Sequence, residues 1–165
     1  MLFSDLQAEV ERCAERAPNL PELQQAVVGL IAQNLLRYNW VGFYMLDPED
    51  ASTLVLGPFH GQPTEHVRIP VTEGICGAAV AQGETVVVDD VSADPRYLAC
   101  SVDTKSEIVA PIRVRGRVVG EIDVDSHAQA AFGPADREFL ERCAEIVGRY
   151  MERRGDEPTR LRNNE

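Results

Sequence analysis

A cysteine in a polar loop, with a carboxylate seven residues further on, is the combination in this chain best suited to covalent chemistry. Cys100 sits in Arg96-Tyr97-Leu98-Ala99-Cys100-Ser101-Val102-Asp103-Thr104-Lys105, outside the apolar periodic segments that usually hold structural cysteines. The flanking cations Arg96 and Lys105 favour the thiolate, which is the nucleophilic form. Glu107 stands where this loop meets Ile108-Val109-Ala110-Pro111-Ile112, an apolar run that reads as a buried strand, so Glu107 is expected at the mouth of that strand. A capping loop with an incidental thiol fits the same residues, because a single loop cysteine is a weak signal.

A second group of candidates is the alternating stretch Glu121-Ile122-Asp123-Val124-Asp125. The two-residue period of a strand puts the three carboxylates on one face and the two apolar side chains on the other. Alternation by itself fits a solvated outer face. Three like charges on one strand repel, however, and raise at least one pKa unless a cation compensates. A ligand with a free amine would suit such a face, and a member that kept its proton would serve as a general acid.

Cys76, in Gly74-Ile75-Cys76-Gly77, is expected near a helix N-terminus, where the dipole favours a thiolate. Paired with Cys100 it would allow attack by one thiol and resolution as a disulfide by the other; two unrelated thiols fit the spacing as well. A metal site would add His66 as third ligand, but no CxxC or HxxH spacing is present, and no metal or cofactor is expected. Cys13 and Cys143 lie in helical apolar stripes and read as small core residues. Trp40 and Tyr44 read equally as core aromatics or as a pocket wall. No Walker loop, dinucleotide fingerprint or nucleophile-elbow serine is present.

These residues need a scaffold, and the chain supplies the elements of one. Helices are expected over 4–16, with Ser4 or Asp5 as cap, and from Asn19 and Pro21 to Leu35. Strands follow over 39–46, 53–59 and 66–70, then a short helix over 78–82 closed by Gly83 and a strand over 85–88. A hairpin joins 108–114 to 117–124 across Arg115-Gly116, and Gly133-Pro134 opens a last helix. This order implies an α+β fold with a mostly antiparallel sheet, helices on one face and a pocket on the other. The charged, apolar-poor stretch 155–165 reads as a mobile tail beyond a single domain over 1–154.

The 165 residues carry a net charge of -11, which argues against nucleic acid and anionic membranes as partners. No run has the length of a membrane span and no signal peptide is visible. A cytoplasmic protein with reduced cysteines is expected.

Taken together, Asn39-Trp40-Val41-Gly42-Phe43-Tyr44, Leu54-Val55-Leu56-Gly57-Pro58-Phe59, Gly74-Ile75-Cys76-Gly77, Leu98-Ala99-Cys100, Ser106-Glu107-Ile108-Val109 and Ile122-Asp123-Val124-Asp125-Ser126 resemble the free methionine-(R)-sulfoxide reductases, which are single GAF domains. The resemblance implies a GAF-like α+β fold and reduction of free methionine-(R)-sulfoxide. By it, Cys100 matches the nucleophilic cysteine; Glu107, Asp123 and Asp125 match the substrate-binding carboxylates. Trp40 and Tyr44 match aromatics around the methyl-sulfoxide end, and Cys76 matches a second cysteine that can form a disulfide. It also implies recycling by thioredoxin and a homodimer. Two positions depart from the family pattern: His66 stands where a third, resolving cysteine is common, and Arg96-Tyr97 stands where Gly-His is common. A GAF module that binds a small ligand or senses redox state without catalysis is the alternative, although no output domain is visible.

Overall fold

The computed structural model describes residues 2–99 and 102–155. Two helices lead, α1 (Phe3–Arg16) and α2 (Leu20–Asn34); they are followed by strands β1 (Trp40–Asp47), β2 (Asp50–His60) and β3 (Arg68–Pro70). Helix α3 (Gly74–Gln82) and the short β4 (Val86–Val88) come next, then a single 3-10 turn over Val91–Ala93. The hairpin of β5 (Ser106–Val114) and β6 (Arg117–Ser126) leads to the long α4 (Pro134–Arg154). The strands form one sheet in the order β3-β2-β1-β6-β5-β4, and every pairing is antiparallel. This is the α+β architecture that the sequence predicts.

The sheet has an apolar core on each side. Ile108, Ala110, Ile112, Ile122, Val124, Val41 and Phe43 face α1, α2 and α4 and pack with Leu6, Val27, Leu140 and Val147. The opposite face carries Trp40, Tyr44, Val86, Val88 and Val109 and is roofed by α3 through Ile75, Cys76 and Ala79. Strand residues that alternate between these faces are therefore buried whichever way they point. This explains why β6 is buried continuously from Val119 to Ser126 despite its alternating polarity.

Local chemistry sets most element ends. Asn19 caps α2 by accepting a hydrogen bond from the Glu22 amide at 3.0 Å, with Pro21 in the first turn. The expected side-chain cap on α1 is absent: Leu2 occupies the N-cap position and makes no side-chain bond, while Ser4 and Asp5 lie inside the helix. Arg115 and Gly116 turn the β5–β6 hairpin with φ of 51° and 80°, the two left-handed positions of a tight hairpin turn. Helix α3 starts at Gly74 rather than at Ala78. Gly74 adopts φ 72°, which turns the chain into the helix four residues earlier than the apolar pattern alone indicates.

Candidate active site

Antiparallel register assembles the site on the α3-side face. Asp125 lies opposite Trp40, Asp123 opposite Gly42 and Glu121 opposite Tyr44 across the β1–β6 ladder. Across the β5–β6 ladder Asp125 faces Glu107, Asp123 faces Val109 and Glu121 faces Pro111. Four acidic side chains from two strands thus share a face with the two candidate aromatics. Glu121 is 0% exposed and Glu107 4%; Asp123 and Asp125 are buried as well. The solvated outer face that alternation alone would allow is not formed, because α3 covers it.

Burial decides the electrostatics. Loss of hydration pushes Glu121 and Asp125 well above the ordinary carboxylate range, and the charge of Asp123 adds to both effects. Asp123 is raised for the same first reason, loss of hydration, while interactions with Glu107 and the Cys76 thiol act in the opposite direction. Among the described residues no arginine or lysine contributes at these three groups. Both oxygens of Glu121 and one oxygen each of Asp123 and Asp125 find no hydrogen-bond partner among the described residues. Dehydration of this kind favours the protonated form of each acid, and an arriving cation favours the ionised form.

Cys76 lies in the first turn of α3 and points down onto this row, 5% exposed. Its thiol is pushed well above its ordinary value, first by burial and then by the charges of Asp123, Glu121 and Glu107. The thiolate expected from the helix dipole is therefore not its resting form. Dehydration and nearby negative charge outweigh half a unit of positive helix charge. Cys76 is a free thiol, as are Cys13 and Cys143. Cys143 is fully buried in the helical core as expected, and Cys13 is half-buried at its edge.

Trp40 and Tyr44 form one wall. Their rings stack at 6.2 Å, and Trp40 also stacks on Phe59 at 5.6 Å. The Trp40 indole donates to the Gln62 carbonyl at 3.0 Å and the Tyr44 hydroxyl to the His66 carbonyl at 2.7 Å. A small cleft of about 80 Å³ opens at the Asp125 end, lined by Asn39, Trp40, Gln62, Thr64, Thr104 and His127 besides Asp125. The Gln62, Thr64 and Thr104 contributions were not legible in the sequence, because each is a loop polar residue with no periodic signal.

Cys100 itself lies outside the described residues. Just before it, Ala99 offers its carbonyl to Nε2 of His66 at 3.0 Å. His66 thus tethers the segment that leads into Cys100. Arg96 pairs with Asp94 through both Nε and a terminal nitrogen, at 3.0 and 2.7 Å, so its charge is taken up locally. Glu107, expected at the mouth of β5, is inside the strand, one residue from its start.

The antiparallel sheet, its helical layer and the small roofing helix over a buried polar row are the arrangement of a GAF domain, and a GAF domain profile matches residues 19–151. The crystal structure of the free methionine-R-sulfoxide reductase from Neisseria meningitidis in complex with its substrate superposes with a TM-score of 0.87 at 33% identity, covering 93% of this chain and 92% of that one. The free methionine-R-sulfoxide reductase of Saccharomyces cerevisiae is 40% identical over 112 residues, 67% of this chain, which spans 62% of the yeast protein's length. Protein YtsP of Bacillus subtilis is 39% identical over 151 residues, 92% of this chain and 89% of that protein. The chain belongs to the GAF domain family and, within it, to the free methionine-R-sulfoxide reductases, a family of oxidoreductases.

Proposed function

We propose that the protein reduces free methionine-(R)-sulfoxide to methionine, with Cys100 as nucleophile and thioredoxin as the final reductant. The observation that carries this reading is the buried acidic row beside Trp40 and Tyr44, in which no cation among the described residues contributes at Asp123 or Asp125. Such a row is short of one positive charge. The ammonium group of a free amino acid supplies it, whereas the neutral amide of a peptide-bound residue leaves the charges uncompensated. The aromatic pair provides an apolar wall for the methyl-sulfoxide end.

In the proposed reaction the Cys100 thiolate attacks the sulfoxide sulfur. The oxygen takes one proton from a buried carboxylic acid and one from solvent and leaves as water. Water then attacks the Cys100 sulfur, methionine departs with the bonding pair, and Cys100 is left as sulfenic acid. The methionine sulfur is reduced by two electrons and the cysteine oxidised by two. The Cys76 thiol condenses with the sulfenic acid, releasing water, and a dithiol of the thioredoxin class reduces the resulting disulfide. Glu107, Asp123 and Asp125 hold the amine in this scheme. Among the described residues Cys13, Cys76 and Cys143 are free thiols, which a reducing compartment would preserve; we further propose a cytoplasmic homodimer whose unit is residues 1–154, with 155–165 as a charged tail.

The test is NADPH oxidation coupled through thioredoxin reductase and thioredoxin, with the free R-sulfoxide, the free S-sulfoxide and an N-acetylated R-sulfoxide as substrates. Turnover on the free R form alone is the expected result. If no turnover appears, released methionine is measured after one cycle. A stoichiometric burst places the fault in recycling, and the absence of a burst overturns the reductase reading in favour of a ligand-binding GAF module.

A further inference from the structure

The same face holds a second arrangement that an amine site does not require. The Cys76 sulfur, a Glu107 carboxyl oxygen and an Asp123 carboxyl oxygen all lie within 4.8 Å of one another, and all three residues are buried. An ion at the centre of a triangle of that size is within about 2.8 Å of every ligand atom. Closing to zinc distances of about 2.0–2.2 Å for oxygen and 2.3 Å for sulfur then takes an inward movement of at most about 0.5–0.8 Å per ligand, within reach of side-chain torsions. Glu121 is the independent sign of a missing ligand. It is 0% exposed, its polar neighbours are the Cys76 thiol and Asp123, and neither of its oxygens makes a hydrogen bond of normal geometry among the described residues. A buried carboxyl left in that state costs stability unless something occupies the space it faces.

We infer that Cys76, Glu107 and Asp123 form a binding site for a borderline-soft divalent cation of the zinc or cadmium type, with Glu121 supplying further negative charge at the thiol side. The donor set selects the metal: one thiolate with two carboxylates suits zinc and cadmium, whereas magnesium and calcium prefer oxygen alone. The ligand set differs from the one that sequence spacing offered, since His66 turns to the Ala99 carbonyl instead. On binding, the Cys76 S–H bond breaks, its electron pair goes to the metal and its proton to solvent. The site shares Glu107, Asp123 and Cys76 with the reductase reading, but the metal assignment does not depend on that reading. Only one consequence rests on that reading: a bound ion would occupy the place of the substrate ammonium and hold Cys76 away from disulfide formation.

The test is titration of the reduced, metal-free full-length protein with Cd2+. It is followed by the thiolate-to-cadmium charge-transfer absorption in the ultraviolet and by proton release in weak buffer. The expected result is one ion per chain, at least one proton released, and a rise in melting temperature with Cd2+ or Zn2+. Cys76→Ser should abolish the absorption band. Glu107→Gln and Asp123→Asn should each weaken binding at least tenfold while leaving a band, and Cys100→Ser should keep band and stoichiometry. A band that survives Cys76→Ser and disappears in Cys100→Ser overturns the assignment, as does the absence of stoichiometric binding to wild type. Circular dichroism of each variant separates loss of ligand from loss of fold. Zn2+ inhibition of turnover that is competitive with the sulfoxide and relieved by chelator is the expected kinetic counterpart; it tests the shared position with the amine, while the titration stands even if the protein reduces no sulfoxide.

Discussion

At the scale of single residues, the site runs on dehydration. Cys76 is held as a neutral thiol by its burial and by the acids below it, so its attack on a sulfenic acid should accelerate as pH rises through and above neutrality. Rapid-quench measurement of disulfide formation after one turnover, from pH 6 to pH 9, checks this; a flat profile would remove Cys76 from the resolving role. If the substrate ammonium pairs with Asp123 and Glu107 as proposed, it also removes part of what keeps the thiol protonated, which would link substrate binding to thiol reactivity. Glu107→Gln is expected to raise the KM for the free sulfoxide by about 10–100-fold with a smaller change in kcat, since a lost charge-assisted bond is worth about 1.5–3 kcal/mol. Tyr44→Phe is expected to cost about 1–2 kcal/mol of stability, because the His66 carbonyl loses its buried donor. Urea unfolding measures it.

At the scale of elements, two glycines set how closely the parts of the site approach. Gly42 lies between Trp40 and Tyr44 on β1. A Cβ there would come within 2.5 Å of the Trp40 ring and 2.9 Å of Phe59. Gly42→Ala should therefore push the indole out of its stack, costing about 1–3 kcal/mol and raising KM, with Trp40 fluorescence as the direct readout. Gly148 plays the equivalent part on the other face, where a Cβ would strike the Arg113 carbonyl. Helix α4 touches β5 at that point without an intervening side chain. Gly148→Ala should lower the melting temperature by several degrees yet leave substrate affinity unchanged, since the contact is on the far side of the sheet.

At the scale of the whole molecule, the buried acids impose a pH dependence on stability. Glu121, Asp123 and Asp125 are raised by burial. Below the ordinary carboxylate pKa of about 4, folded and unfolded chains both carry the protons. Above it the unfolded chain ionises first, the folded chain binds more protons, and stability falls as pH increases toward the raised values. Asp47, Asp50 and Asp94 are shifted downward by their partners and act with opposite sign, but only near and below the ordinary range. They are also solvent-screened, so their effect is small. The melting temperature of the ligand-free protein is therefore expected to decline from about pH 5 to pH 8, and Glu121→Gln to flatten that decline. A melting temperature that rises over this interval would contradict the upward shift of these buried acids. Among the described residues no helix is long and apolar enough to cross a membrane.

Much of this organisation follows from local sequence. The α+β order, the Asn19 cap, the Arg115-Gly116 turn and the alternation that gathers Glu121, Asp123 and Asp125 on one face all rest on propensities and periods, which act within a few residues. What local sequence could not decide is which environment that face meets. The same alternation describes a solvated surface or a buried row, and the outcome depends on α3 crossing over it from a segment some forty residues earlier in the chain. Register across two ladders then brought Glu107 beside Asp125 and set Gly42 beneath the indole, and the packing of α3 turned Cys76 from a helix-activated thiolate into a protonated thiol. Dehydration and cross-strand proximity are properties of assembled elements, so the chemistry of these side chains was written in the residue types but set by the tertiary structure.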